Sequence, residues 1–420
     1  MKTKRFTHKK SVYNNIIIIS YILIILFMNI SPYSMPLSYL VPIILLSIFT
    51  VILLNRKLNM AIRTNSTDIF LLYFLYLINL FNLLSVDYKF EALITSTLII
   101  LVSILTLICF TFLEQHVLNK ILNSFLILIM IINMLGVVML VFDIDYFLGI
   151  KHVVMGRDTK RISSIVGNPN KLGILNTLAL MNLFYLVSID KIKIRMFFIY
   201  LISIIITIFI LTGSRNSILT TIVFIITYYI LVICKYRKYS QKMNKIFWFM
   251  NICFVIIAII LTFSVINKGI VGTISIFMRG DYTLSERDIA WNYLLDLFSD
   301  NYLLGIGLGN TYNYLSSTNI GVYSAHNNYI GLLAELGLIG FSILFILISL
   351  KLYQLIKLIK CNNVTNEKKI LLRYVLCFGV SISIYSIMEV SFLVFGCINL
   401  IIFMYFALIN KIYYEYRTNI

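Results

Sequence analysis

The sequence predicts an all-α membrane protein. Of its 420 residues, 60% are hydrophobic and only 12% are charged, a balance outside the range of ordinary globular chains. Apolar stretches recur along almost the whole chain, and one bilayer crossing needs roughly 20 mostly apolar residues. The stretches 16–30 and 199–211 are nearly continuous rather than alternating, which excludes a transmembrane barrel.

About twelve membrane-spanning helices are predicted, with boundaries that can shift by several residues. They are expected near residues 14–30, 37–54, 68–84, 92–112, 121–142, 172–189, 196–211, 216–234, 246–266, 326–350, 374–388 and 391–410. The chain then divides into a bundle of the first five spans (1–142), an outer loop (143–171), spans six to nine (172–266), a large extracytoplasmic loop with an interfacial helix (267–325), and the C-terminal spans ten to twelve (326–420).

The net charge of +18 orients the chain in its membrane. With the basic N-terminal tail inside, most Lys and Arg residues fall on the inner side of the predicted spans, as the positive-inside rule requires. Both termini are therefore expected in the cytoplasm. No small-residue cleavage site follows the first apolar run, so that run is predicted to be a retained helix rather than a signal peptide. The charge does not argue for nucleic-acid binding.

The large outer loop is predicted to contain a helix along the membrane surface at 281–300. Thr283 and Glu286 have the spacing of a capping box at its start, and an apolar stripe that includes Trp291 fits an interfacial helix. Arg287 falls on that same stripe. Its side chain either reaches lipid headgroups or a neighbouring acid, or it points into an anionic site.

Arg215 lies in a short outer turn, Thr-Gly-Ser-Arg-Asn-Ser, at the predicted start of a span. A cation there opposes the helix dipole unless an anion is bound nearby. An arginine beside free helix N–H groups forms a favourable binding site for phosphate. The alternative is a lipid anchor at the interface.

His326 stands where the large outer loop enters the next span. If Ser324 is the N-cap, His326 lies in the first turn, where the helix dipole keeps its ring neutral and able to accept a proton. The alternative is a polar interface residue or a capping partner. Glu335 lies two turns along the helix. Its first interpretation is a side chain that forms a structural hydrogen bond between helices.

The segment 167–173 opens another span, with Asn168 as its cap and Pro169 in the first helical position. Upstream, Arg161 adds positive charge that belongs either to a solvated loop or to an anion funnel. The glycine-rich run 305–309 lacks the strand and helix context of a nucleotide loop and is predicted to be a flexible turn.

Four fragments in this order resemble a known family. They are Gly-Asn-Pro-Asn before one span, Thr-Gly-Ser-Arg before a later one, Arg-Asp-Ile-Ala-Trp followed by Leu-Leu-Gly-Ile-Gly-Leu-Gly-Asn, and Ala-His-Asn-Asn-Tyr with Glu-Leu-Gly. All four are predicted on the same side of the membrane. Together they resemble the bacterial O-antigen polymerase and ligase family, over roughly residues 161–345.

The resemblance implies a GT-C-like membrane glycosyltransferase whose donor is a glycan linked to undecaprenyl pyrophosphate, with no metal and no cofactor. His326 is then expected to assist attack by an acceptor hydroxyl, and Arg215 and Arg287 to hold the pyrophosphate. Arg161 is a looser match, expected as a further anion contact. The expected supporting residues are Asn168, Asn170, Asn327 and Glu335.

Polymerase and ligase differ in the acceptor. The richness in Ile, Asn, Lys and Tyr suggests an AT-rich genome, compatible with a cell without lipid A, and so favours polymerisation of a capsular or surface polysaccharide in a bacterial cell membrane. The expected partners are the lipid-linked donor and acceptor, membrane lipids and a chain-length regulator, but no nucleic acid. A transporter of the lipid-linked unit is the rival from another class, although neither repeated halves nor mid-membrane charges are evident.

Overall fold

The computed structural model describes most of the chain after residue 57. The described residues are 58–82, 86–111, 114–144, 146–147, 150–151, 153–155, 160–237, 241, 244–252, 287–318, 324–393 and 397–418. The predicted spans near 14–30 and 37–54, and the predicted capping box of Thr283 and Glu286, lie outside these residues.

Helices dominate the described residues, as predicted. The α-helices are α1 (Leu58–Thr64), α2 (Ser66–Asn82), α3 (Lys89–Phe110), α4 (Gln115–Val141), α5 (Pro169–Ser188), α6 (Ile194–Ile206), α7 (Arg215–Tyr228), α8 (Cys234–Tyr236), α9 (Arg287–Asp300), α10 (Thr311–Ser316), α11 (Asn328–Lys360), α12 (Asn366–Tyr385) and α13 (Cys397–Thr418). Residues 244–252 are also helical.

Six helices in the described part of the chain are long and apolar enough to cross a membrane. They are α3, α4, α5, the continuous stretch Arg215–Tyr236, α11 and α13. The prediction of an all-α membrane protein is confirmed in this form. The last helix begins at Cys397 rather than near 391, because residues 386–393 form a loop that packs against the start of α11.

Two π-helical turns interrupt the regular helices, at Thr207–Thr212 after α6 and at Tyr229–Ile233 after α7. A π-turn widens the helix and releases carbonyl groups from the regular hydrogen-bond ladder. In both turns an arginine from another element donates a hydrogen bond to a backbone carbonyl. Arg161 donates to the carbonyl of Thr212, and Arg373 donates to the carbonyl of Leu231. These contacts tie distant parts of the chain to the two π-turns.

The outer loop 143–171 contains short strands that were not predicted from the sequence. Four short strands occur there: β1 (Tyr146–Phe147), β2 (Ile150–Lys151), β3 (Val153–Met155) and β4 (Lys160–Ile162). They pair as two antiparallel hairpins, β1 with β2 and β3 with β4. Strands of two or three residues leave too short an alternation to be recognised in a sequence.

The helices pack through a continuous apolar core supplemented by polar contacts between neighbours. Asn133 on α4 and Asn176 on α5 exchange two hydrogen bonds of 2.7 and 3.0 Å. Tyr374 on α12 bonds to Tyr405 on α13 at 2.8 Å. Such contacts hold helices together in a bilayer, where lipid removes the hydrophobic driving force between them.

A buried ion pair joins α2 to α11. Lys351 on α11 contacts Asp68 on α2 at 2.7 Å, and both side chains are almost completely buried. Asn410 on α13 bonds to Lys351 and, at 2.7 Å, to Asp68. Because the pair is surrounded by hydrogen-bonding partners, it is a tie between three helices, far along α11 from His326.

The predicted flexible turn at 305–309 is instead packed into a break in α11. Gly337 has φ 60° and ψ −172°, a non-helical conformation inside that helix that only glycine adopts without strain. The break exposes backbone groups, and the amides of Ile306 and Gly307 donate to the carbonyls of Ala334 and Glu335 at 2.9 Å. The glycine run therefore serves as a backbone partner for a broken helix.

Candidate active site

The start of α11 places His326 just outside the helix. Asn327, not Ser324, is the N-cap, since its side chain accepts hydrogen bonds from the amides of Tyr329 and Ile330. His326 has a positive φ of 46°, an uncommon conformation for a residue with a side chain. The expectation that His326 lies in the first turn is therefore wrong, and the helix-dipole argument for its neutrality no longer applies.

Glu389 joins His326 to Arg287. Its Oε2 lies 3.1 Å from Nδ1 of His326, and its Oε1 lies 3.5 Å from an Nη2 of Arg287. A second guanidinium nitrogen of Arg287 donates to the carbonyl of Met388 at 3.1 Å. The Glu389 side chain is only 15% exposed, so the carboxylate is largely shielded from water and interacts more strongly with its partners. We call these three side chains the Glu389 junction.

The Glu389 junction continues toward the second hairpin. Asn170 donates from Nδ2 to Oε1 of Glu389 at 3.2 Å, and its Oδ1 accepts from Arg161 at 2.7 Å. Arg161 also donates from Nε to the carbonyl of Thr212 at 2.8 Å. A chain of contacts thus runs from His326 through Glu389 and Asn170 to Arg161. Arg161 and Asn170, both predicted as site residues, belong to the same polar cluster as His326.

The first turn of α5 positions Asn170. Asn168 caps this helix, accepting from the amides of Asn170 and Lys171 at 2.8 and 3.3 Å, and Pro169 follows in the first helical position. Both features were predicted. Asn168 is exposed. Its effect on the cluster is indirect, because it caps the helix start that positions Asn170.

Arg215 is the first residue of α7 and its side chain is exposed. The next residue, Asn216, donates to the carbonyl of Tyr385 at 2.9 Å, one helical turn before Glu389. Gly173 on α5 faces the same helix start, and a Cβ there would come within 2.8 Å of Ser214. Arg215, Arg287 and His326 consequently lie at one end of the bundle, which we call the His326 end.

Helix α9 covers this end and carries Arg287 over it. Trp291 donates from Nε1 to the carbonyl of Ala325 at 2.7 Å, the residue that precedes His326. Ala290 and Leu294 pack on a small apolar cluster with Ala325. The helix predicted at 281–300 is present over Arg287–Asp300. Its buried face lies on protein, which aims Arg287 at Glu389 rather than at lipid.

The loop that carries Glu389 is held by the first residue of α11. Asn328 donates its amide to the carbonyl of Ser386 at 2.8 Å, and its Oδ1 accepts from the amides of Ser391 and Phe392 at 3.0 and 3.1 Å. The hydroxyls of Ser386 and Ser391 also bond to each other. These contacts bracket Glu389 on both sides, so its backbone is fixed relative to His326.

An apolar groove begins beside the site and runs between α11, α12 and α13. Its volume is about 320 Å³. Asn328 and Ser386 line one end, next to the Glu389 junction, while Leu355 lines the part farthest along α11. Phe345 and Leu352 line it between these ends and are exposed. We call it the α11–α13 groove.

Glu335, a predicted supporting residue, is not joined to this cluster. It is buried in α11, and its Oε1 accepts from the amide of Thr311 at 3.1 Å. That contact holds the start of α10 beside the glycine loop. The structure thus favours the interpretation of Glu335 as a structural hydrogen-bond acceptor.

Glu389 was not identified from the sequence. It lies beyond the last recognised fragment, and 63 positions separate it from His326. The available signal was an acid in a short connection between two predicted spans, at the side of the membrane where the arginines cluster. An acid placed there needs a partner, and His326 and Arg287 supply it.

The cluster provides the elements of a general base beside an anion site. A carboxylate oxygen can only accept a hydrogen bond, so Nδ1 of His326 carries the hydrogen toward Glu389, and in the neutral ring Nε2 is then the nitrogen with the lone pair. Guanidinium groups match phosphate oxygens with paired donors. Within the described part of the chain, no three His, Cys, Asp or Glu side chains meet as metal ligands would.

Comparison with known families bears on this arrangement. Residues 171–345 match the family described as O-antigen ligase. The match covers less than half of the chain, and over those residues the chain is similar to O-antigen ligases. The matched residues include Arg215, Arg287 and His326, whereas Arg161 and Glu389 lie outside them.

Other comparisons add little to the O-antigen ligase match. No curated protein matches this chain. Among solved structures, the chain is similar to one from work titled "Structural coordination of polymerization and crosslinking by a peptidoglycan synthase complex". The identity is 12%, the alignment covers 82% of this chain and 96% of the other, and the TM-score is 0.43. A similarity of this size carries no argument about function.

Proposed function

We propose that the protein is a metal-independent glycosyltransferase that polymerises undecaprenyl-pyrophosphate-linked repeat units into a capsular or surface polysaccharide. The observation that carries this proposal is the Glu389 junction, where one carboxylate contacts both a histidine and an arginine. A base and a cation held by the same acid suit a reaction that removes a proton and releases an anion.

In the proposed reaction, Nε2 of His326 takes the proton of an acceptor hydroxyl. The hydroxyl oxygen forms a bond to the anomeric carbon of the donor glycan, and the bond from that carbon to the pyrophosphate oxygen breaks. The electron pair leaves with undecaprenyl pyrophosphate, whose developing charge Arg287 and Arg215 compensate. The proton stays on His326 until the product leaves.

Glu389 orients His326 in this scheme. By accepting from Nδ1, it selects the tautomer with Nε2 free and favours the protonated ring that forms during the reaction. Its second oxygen contacts Arg287. A bound pyrophosphate competes for that guanidinium, so donor binding is expected to weaken the contact between Glu389 and Arg287.

The α11–α13 groove is the proposed seat of the lipid tail. It is apolar and starts at Asn328 and Ser386, which hold the Glu389 loop. A carrier lying there has its pyrophosphate at the His326 end while its hydrocarbon stays in the membrane. We propose that Arg161, which bonds to Asn170, adds positive charge on the side of the site opposite the groove.

The purified protein tests this proposal with a defined undecaprenyl-pyrophosphate repeat unit, comparing His326→Ala with His116→Ala. His116 is a half-exposed histidine near the start of α4 and serves as the matched control. A ladder of elongated products is expected from the unaltered protein and from His116→Ala, with single units only from His326→Ala.

Each rival function gives a different pattern in the same assay. A ligase transfers the unit once to another acceptor and forms no ladder. A transporter forms no new glycosidic bond, and its transport activity is insensitive to His326→Ala. Either pattern would overturn polymerisation, and a ladder from His326→Ala would overturn the proposed base.

A further inference from the structure

At the end of the bundle opposite His326, α12 packs antiparallel to α7 and its π-turn. Asn216 bonds to the carbonyl of Tyr385 at the His326 end, and Arg373 donates to the carbonyl of Leu231 at 2.8 Å nearer the other end. These two contacts fix the register of the pair. Leu231 and Arg373 therefore lie at the same level across the seam.

This register places two lysines near Arg373. Lys235 comes four residues after Leu231, and Lys369 comes four residues before Arg373. Because the helices run in opposite directions, both positions are about one turn farther from the His326 end, on the faces that meet. Lys235 and Lys369 thus flank the seam, with Arg373 one turn deeper.

Arg373 is a buried charge whose hydrogen bonds are incompletely satisfied. Arg373 is 8% exposed, and its Nε has no hydrogen-bond partner among the residues that the structure describes. Its guanidinium lies 5.7 Å from the ring centre of Tyr236. By the register of the two helices, Lys235 and Lys369 each lie about one turn from the level of Arg373. Three like charges in one seam are unfavourable unless an anion lies nearby.

The surrounding surface is apolar. Ile226 and Ile230, in α7 and its π-turn, are exposed hydrophobic residues on the way toward the His326 end. They form an apolar surface beside the cationic seam, on which the hydrocarbon chain of a lipid can lie. Basic pockets between helices at a membrane boundary are typical binding sites for anionic lipid headgroups.

We propose that the seam between α7 and α12 binds the headgroup phosphate of an anionic phospholipid. Lys235 and Lys369 contact the phosphate, Arg373 supplies a fixed positive charge behind it, and an acyl chain lies along Ile226 and Ile230. This site is distinct from the Glu389 junction and does not depend on the proposed glycosyltransferase activity. A free anion is disfavoured because it makes no use of the apolar surface.

The test measures binding of phosphatidylglycerol to the purified full-length protein in detergent by native mass spectrometry, with phosphatidylcholine for comparison. The variant is the double change Lys235→Gln and Lys369→Gln. The matched control is Lys191→Gln and Lys193→Gln, two exposed lysines in the turn before α6. Both pairs remove two positive charges, so their effect on net charge is the same.

Phosphatidylglycerol is expected to bind the unaltered protein and the control about equally, and the Lys235 and Lys369 variant about 30-fold more weakly. Phosphatidylcholine is expected to bind all three weakly. Equal losses in both double variants would show diffuse surface charge and overturn the site. Displacement of the lipid by equimolar inorganic phosphate would show that a free anion, not a lipid, is the ligand.

Discussion

Glu389 and His326, 63 positions apart in the chain, meet through one contact of 3.1 Å between Oε2 and Nδ1. The contact exists because Asn328, two residues after His326, binds the backbone on both sides of Glu389. The helix start that presents the histidine thus also positions its acidic partner. Neither residue can shift far without disturbing the other.

Replacing Glu389 by Gln is expected to lower the rate of polymer formation about 100-fold. The neutral Gln side chain cannot stabilise a protonated His326. Its NH2 group can also face Nδ1, which would turn the imidazole ring away from its orientation beside a carboxylate. Glu389→Asp, which keeps the charge with a shorter reach, is expected to recover part of the rate. The measurement is product-ladder formation at equal protein amount. Full activity of the Gln variant would contradict the orienting role.

Replacing Arg215 by Lys is expected to reduce activity about 10- to 100-fold, because a point charge replaces a paired donor for phosphate oxygens. Arg195→Lys is the matched control: this arginine is also exposed and lies in the first turn of a helix, α6. The half-saturating donor concentration is measured for both. Equal behaviour of the two variants would remove Arg215 from the pyrophosphate site.

Replacing Gly337 by Ala is expected to destabilise the fold by about 1–3 kcal/mol. The φ of 60° is unfavourable for a residue with a Cβ, and a Cβ there would come within 2.5 Å of the backbone of Leu303 and Gly305. Gly379→Ala, in a helix where a Cβ meets nothing within 4 Å, serves as the control. Thermal unfolding in detergent compares them, and a Gly337→Ala midpoint equal to that of the control would refute the role of the break.

Replacing Gly379 by Phe is expected to raise the half-saturating concentration of the lipid-linked donor about 10-fold, equivalent to about 1.4 kcal/mol of lost binding. Gly379 lines the α11–α13 groove, and its open surroundings let a ring enter without displacing neighbours. Ile222→Phe, on the exposed face of α7, places the same ring at a position outside the groove. Unchanged donor dependence in Gly379→Phe would place the tail outside the groove.

Much of the helical architecture could be predicted because each span depends on its own composition. The start of α5 was predicted residue by residue, since Asn168 and Pro169 act on their immediate neighbours. The break at Gly337 could not be predicted. It is stable only because the distant glycine loop supplies the hydrogen bonds that the helix gives up.

The candidate site shows the same division. His326, Arg287 and Arg215 were identified from local motifs, Arg161 from its charge and Asn170 from the Gly-Asn-Pro-Asn motif. Their mutual contacts were not predictable, because each motif occupies a different helix start or loop. Glu389 belongs to no recognised motif, so only the packing of α11 against the 386–393 loop reveals it.

The sequence by itself predicted a helical membrane protein and indicated His326, Arg287 and Arg215 as candidate site residues, because hydropathy and short motifs are local properties. The tertiary structure decided that one carboxylate links the histidine to an arginine, that Glu335 serves the fold, and that the glycine run fills a broken helix. These outcomes depend on which helix ends meet. Contacts over such separations arise from packing, which no local pattern encodes.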